Sequence, residues 1–160
     1  GVKNLVLGSP SLRKKHGKKT KECDEIFNEI LMEYDNRANG IILNIEPLPT
    51  DYCEYINSIE EANEFSAHYK NVEVQLDTRT LVEQEISSLP KNIKFKHCQI
   101  GNPGMNFHDS RFDSYHIKYS EALNGMNYSG YIVAEVLCPE QYSNFTYLKI
   151  VTNKMNDIYG

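Results

Sequence analysis

Apolar residues in this chain alternate between two rhythms, short near-continuous runs and longer stretches spaced for one face of a helix. Residues 4–8 read as a buried strand closed by a Gly8-Ser-Pro10 turn. Cys23, Ile26, Phe27, Ile30, Leu31, Tyr34 and Ala38 then recur at helical spacing, and Gly40 is placed to stop the helix. A second strand fills 41–46, apolar nearly throughout, as in a parallel sheet covered by helices. Ser58-Ile-Glu-Glu61 is a capping box for a helix bearing Ile59, Ala62, Phe65 and Tyr69. The next strand, 71–77, sets Val72, Val74 and Leu76 against Glu73, Gln75 and Asp77, so that its polar face would line an interior.

A short helix is expected around 81–89, ended by Pro90, and a strand over 93–100. There Lys94 and Lys96 would face the helix layer along their stems. Phe112, Tyr115, Tyr119, Ala122, Leu123 and Met126 trace a further helix, and 131–136 the last strand. Pro139 would open the final helix, with Tyr142, Phe145, Leu148, Val151 and Met155 inward.

Five strands alternating with five helical segments predict an α/β fold of the (β/α)8 TIM-barrel type, of which this chain carries the last five units as one domain over 1–160. A complete barrel needs about 200 to 250 residues. The chain starts at Gly1, directly before a strand, so a missing N-terminal half-barrel or a homodimer is expected to cover the first strand's open edge.

Composition narrows the partners. A hydrophobic fraction of 40% allows a core, and a net charge of −5 argues against a nucleic-acid surface. No apolar run approaches the roughly 20 residues that span a membrane. Arg13, Lys14, Lys15, Lys18, Lys19 and Lys21 read as a solvated basic loop. Cys23, Cys53, Cys98 and Cys138 form no C-x-x-C pair and are expected as reduced thiols in the cytoplasm, Cys98 and Cys138 in the core; His108 and His116 are expected in solvent.

The chemistry lies where the runs end. Glu46, Asp77, His97 and Glu135 each close a separate apolar run, and barrel active sites lie at the C-terminal ends of strands. Three carboxylates and an imidazole form a ligand set for one divalent ion, with manganese, magnesium, cobalt and zinc all suited. Singly, each carboxylate is as well explained as a helix cap or half of an ion pair.

Gly1-Val-Lys-Asn-Leu-Val-Leu-Gly-Ser-Pro10, Ile45-Glu-Pro47, Gln75-Leu-Asp-Thr78, the strand reaching His97 and Gly130-Tyr-Ile-Val-Ala-Glu135 resemble strands four to eight of the xylose-isomerase-like superfamily, within it the ketose 3-epimerase branch. The resemblance implies metal-dependent isomerisation or epimerisation of a small ketose through an enediolate, with Glu46, Asp77, His97 and Glu135 as ligands and Glu46 and Glu135 also as acid–base groups. The pattern departs at Asp77-Thr-Arg-Thr80, where Thr80 stands in the place of a substrate-contacting histidine, and Arg111 is a displaced substitute for the usual arginine. Thr80, Arg111 and Tyr52, the last from the long loop after Glu46, are the substrate-contact candidates. Two alternatives stay open, a dehydratase of a cyclic hydroxyketone on the same scaffold and a degenerate barrel that binds sugar or protein without turnover.

Overall fold

The apolar runs form β1 (Asn4–Leu7), β2 (Ile42–Ile45), β3 (Val72–Asp77), β4 (Phe95–Ile100) and β5 (Tyr131–Ala134) in a computed structural model that describes residues 1–90, 93 and 95–160. One sheet holds them in the order β1-β2-β3-β4-β5. β1 pairs with β2 in parallel from Asn4 with Ile42 to Leu7 with Ile45, and β2 with β3 from Leu43 with Val72 to Ile45 with Val74. Helices follow the strands in turn: α1 (Thr20–Arg37), α2 (Ile59–Ser66), α3 (Thr78–Glu83), α4 (Asp113–Gly125) and α5 (Asn144–Tyr159). Sequential strand order with a helix after each strand is the (β/α)8 TIM-barrel pattern, in five units. No helix among the described residues is long and apolar enough to cross a membrane.

The chain divides into two compact units, Gly1–Leu76 with Ile93–His97, and Asp77–Asn92 with Cys98–Gly160. In the first, Phe27 and Leu31 of α1 bury the stripe that Cys23 to Ala38 announced, and Phe27, Tyr55 and Phe65 meet edge to face at 5.0 to 6.0 Å between centroids. Leu31 is fully buried, which stabilises by about 1.5–3 kcal/mol. Ser58 accepts the Glu61 N–H at 3.1 Å, the serine half of the expected capping box, while the Glu61 carboxylate accepts the N–H of Asn57, one residue before the cap, at 2.6 Å.

Three expectations fail in this unit. β1 is not buried, since Leu5 and Val6 are each 43% exposed. It begins the strand order, with a neighbouring strand on one side only. Ile26 and Ile30 of α1 likewise face outward. Arg13 is not a solvated member of the basic loop but is 4% exposed, its guanidinium donating to the carbonyls of Leu7, Glu46 and Ile56.

In the second unit α3 starts directly after β3, earlier than its apolar residues indicate, because the Asp77 carboxylate accepts the Arg79 N–H at 2.9 Å and caps it. It ends at Glu83, short of Leu89. α5 opens at its Ser143 cap, where the hydroxyl accepts the Thr146 N–H, and not at Pro139, which instead closes a turn with Tyr142. That start places Tyr147 and Val151 inward and leaves Phe145 and Leu148 exposed. β5 stops at Ala134, two residues short of expectation. Lys94 lies outside the described residues, and Lys96 is exposed.

Of the thiols, Cys98 is fully buried and Cys138 partly so. His108 is half-buried between the rings of Tyr142 and Tyr147. His116, expected in solvent, is fully buried against Phe107 and Tyr119. The Asn102 amide nitrogen donates to Asn106 and Asp109, so its oxygen faces Nε2 of His116 at 2.6 Å and that nitrogen carries the proton. Nδ1 then accepts the Tyr159 hydroxyl at 2.7 Å, tying the end of α5 to α4.

Burial, reinforced by Lys154 and opposed by Asp113, lowers the His116 pKa to about 4. Unfolded chain therefore takes up a proton below pH 6.5 that the folded chain refuses until about pH 4. Stability is expected to fall as pH drops across that window, by up to ~3 kcal/mol at ~1.4 per pH unit. Urea unfolding against pH measures this loss, and His116→Gln should flatten the slope between those limits.

Candidate active site

The first unit supplies Glu46 and His97. Glu46 is the first residue beyond β2, and its N–H donates to Leu7 at 3.1 Å, which carries the ladder one residue past the strand. Its side chain is buried and packs over Gly8, where a Cβ would collide with Oε2. Glycine at 8 thus makes room for this carboxylate. The Arg13 guanidinium grips the carbonyls of Leu7 and Glu46, fixing the ends of β1 and β2 together.

His97 is the third residue of β4, not its last, because the strand continues through Cys98, Gln99 and Ile100. Side-chain alternation puts Gln99 on the His97 face and nearer the strand end. Burial lowers the His97 pKa and keeps the ring neutral, the form that ligates a metal. Its Nδ1 is buried with no hydrogen-bond partner among the described residues.

The second unit supplies Asp77 and Glu135. Asp77 is the last residue of β3 and is 3% exposed. One oxygen accepts the Arg79 N–H and the other the Thr80 hydroxyl, both at 2.9 Å. Burial pushes its pKa up, against the pull of Arg79 and of these donors. Asp77 is therefore both a helix cap and half of an ion pair.

Glu135 directly follows β5, and its N–H donates to Ile100 at 2.8 Å. The Arg79 guanidinium stands between the two acids, Nη2 at 3.7 Å from Oδ2 of Asp77 and Nη1 at 3.8 Å from Oε2 of Glu135. Gly101 permits this approach, since a Cβ there would lie 3.1 Å from the Glu135 carbonyl and 3.6 Å from the Arg79 Cβ. The Thr78 hydroxyl secures the same loop, bonding both the N–H and the carbonyl of Gly101.

Of the substrate-contact candidates, Thr80 is 4% exposed and donates its hydroxyl proton to Asp77, so it has lone pairs but no donor left to offer. Arg111 is exposed and clamped two-pronged onto Asp109, which holds that carboxylate down at about 2. Tyr52 is 53% exposed. Its loop neighbour Tyr55 is instead tied to Asp24 at 2.7 Å.

Among the described residues, neither unit holds a group of three or more His, Cys, Asp or Glu side chains close enough to bind a metal ion. Sequence reading missed Arg13, Arg79 and Gly8. Arg79 had one available signal, a cation two residues after a strand-end acid, whereas Arg13 was masked by the lysines around it.

No family profile and no curated protein sequence matches this chain. Solved structures do. A 3-keto-D-glucoside 4-epimerase of E. coli superposes with a TM-score of 0.70 at 15% identity, over 96% of this chain and 63% of that one. A D-psicose 3-epimerase of Clostridium cellulolyticum, solved with D-tagatose, gives 0.64 at 21% identity over 86% and 50% of the two chains. A D-psicose 3-epimerase in the presence of D-fructose gives 0.58 at 19% over 82% and 51%. The chain thus shares the TIM-barrel fold of these sugar epimerases and spans between half and two thirds of their length.

Proposed function

We propose that this chain belongs to a divalent-metal-dependent isomerase or epimerase that moves a proton next to the carbonyl of a small ketose. The observation that carries the reading is the matched placement of Glu46 and Glu135, each the first residue beyond its strand, in a fold shared with sugar epimerases. Glu46, Asp77, His97 and Glu135 are the proposed ligands of one manganese, magnesium, cobalt or zinc ion. Their chemistry fits such an ion: three carboxylates, and a neutral imidazole whose buried Nδ1 lacks a hydrogen bond among the described residues. When bound, the ion supplies Lewis acidity at the substrate carbonyl and a neighbouring hydroxyl.

The remaining work falls to the chain. Glu135 takes a proton from the carbon next to the carbonyl, and Glu46 returns one from the other face; a carboxylate within hydrogen-bond reach of the moving proton accelerates such a step by about 10²–10⁴-fold. Thr80 holds Asp77 in place, and Tyr52 and Arg111 contribute sugar contacts. The partner that covers the exposed β1 residues Leu5 and Val6 is a further half-barrel or a second copy of the chain.

Two measurements follow. After dialysis against excess manganese, elemental mass spectrometry should find about one ion per chain, lost in Glu135→Ala; a wild-type chain that holds no metal after this treatment contradicts the ligand set. Gly8→Ala should displace the Glu46 carboxylate while leaving the backbone intact, cutting turnover about 10²-fold with the melting temperature little changed.

A further inference from the structure

The Arg79 guanidinium sits between Asp77 and Glu135, its side chain 19% exposed. Separations of 3.7 and 3.8 Å are ion-pair distances but too long for hydrogen bonds, so neither carboxylate is gripped by the two-pronged geometry that makes such pairs strong. The Nε–H is buried with no hydrogen-bond partner among the described residues. Among the described residues Arg79 is thus a cation set between two acids without a hydrogen bond to either, its Nε–H donor unspent. The resulting arrangement neutralises part of the negative charge that would otherwise draw a metal.

We infer that Arg79 is an internal counter-cation that competes with a divalent ion for Asp77 and Glu135, so that loading the ion requires the guanidinium to leave. The inference rests on the proposed ligand set. A divalent ion lies about 2.0–2.2 Å from a carboxylate oxygen. The ion would thus need the same carboxylate oxygens that the guanidinium faces, and two cations so close in a partly buried site repel each other, so that one excludes the other. Removing the charge leaves the two acids facing each other, and their repulsion favours an incoming cation.

Calorimetric titration of the whole chain with manganese chloride tests this, using Arg79→Met and Arg79→Gln to remove the charge and Arg79→Lys to keep it. Melting temperatures without metal identify any variant that fails to fold, and the other charge-free variant is then read. The expected result is manganese binding at least about tenfold tighter in the charge-free variants, with Arg79→Lys near wild type. Equal or weaker binding in the charge-free variants, or none in any protein, overturns the competition. The outcomes separate from the proposed function: wild type that binds one ion as tightly as the variants defeats only the role of Arg79, whereas binding seen in the variants alone upholds it and defeats metal dependence of the natural chain.

Discussion

Glu135→Gln is expected to slow hydrogen exchange next to a ketose carbonyl by about 10²–10⁴-fold, the range lost when a positioned acid–base group is removed. The amide has nearly the shape of the carboxylate but cannot take a proton at neutral pH. Little stability should go with it. The Glu135 side chain is 35% exposed, its pairing with Arg79 is 3.8 Å long, and its anchor in the sheet is the backbone N–H to Ile100, which the substitution leaves untouched. Loose, partly exposed ion pairs contribute at most about 1 kcal/mol. Exchange followed by mass spectrometry and urea unfolding followed by fluorescence should therefore separate cleanly. A large loss of stability together with activity would make Glu135 structural.

Arg13→Met should destabilise the chain by about 3 kcal/mol or more, because three carbonyls lose their donor. The guanidinium supplies donors to three carbonyls, those of Leu7, Glu46 and Ile56. Methionine fills similar volume without a donor, leaving those acceptors to be desolvated at about 1–3 kcal/mol each. Burial already lowers the Arg13 pKa, with Cys53 and Glu46 opposing that fall. Arg13→Lys keeps the charge but not the planar fork that reaches two strand ends at once, so its loss should be intermediate. Chemical unfolding of the three proteins gives the order directly; equal stability of Arg13→Met and wild type would mean that water satisfies these carbonyls.

The strands were legible because short apolar runs bounded by turn residues leave few other readings. Their pairing order followed from the helix after each run. Helix starts were less legible, since they depended on single capping side chains: Asp77 begins α3 and Ser143 begins α5, while apolar periodicity pointed three residues later in the first case and the preference for proline at a helix start pointed to Pro139 in the second. Exposure at Leu5, Val6, Ile26 and Ile30 could not be read from hydrophobicity, which does not say whether an apolar face has a neighbour. Glu46, Asp77 and Glu135 fell where expected relative to their strands. His97 lies inside β4, three residues before its end, as the expected strand over 93–100 already implied. Arg13 escaped because a long cationic side chain reaches its partners across the fold, and neighbouring residues in sequence carry no record of that reach, whereas Arg79 left one signal, the strand-end acid two residues before it.

The central claim is proton transfer on a ketose by strand-end carboxylates. The chain, supplied with excess manganese and a panel of ketoses in deuterated water, should place one deuterium on the carbon next to the carbonyl and yield product of unchanged oxygen count, with Glu46→Gln and Glu135→Gln each deficient. Loss of water from the substrate would instead indicate a dehydratase, and sugar binding without any deuterium uptake by the wild type would contradict the account.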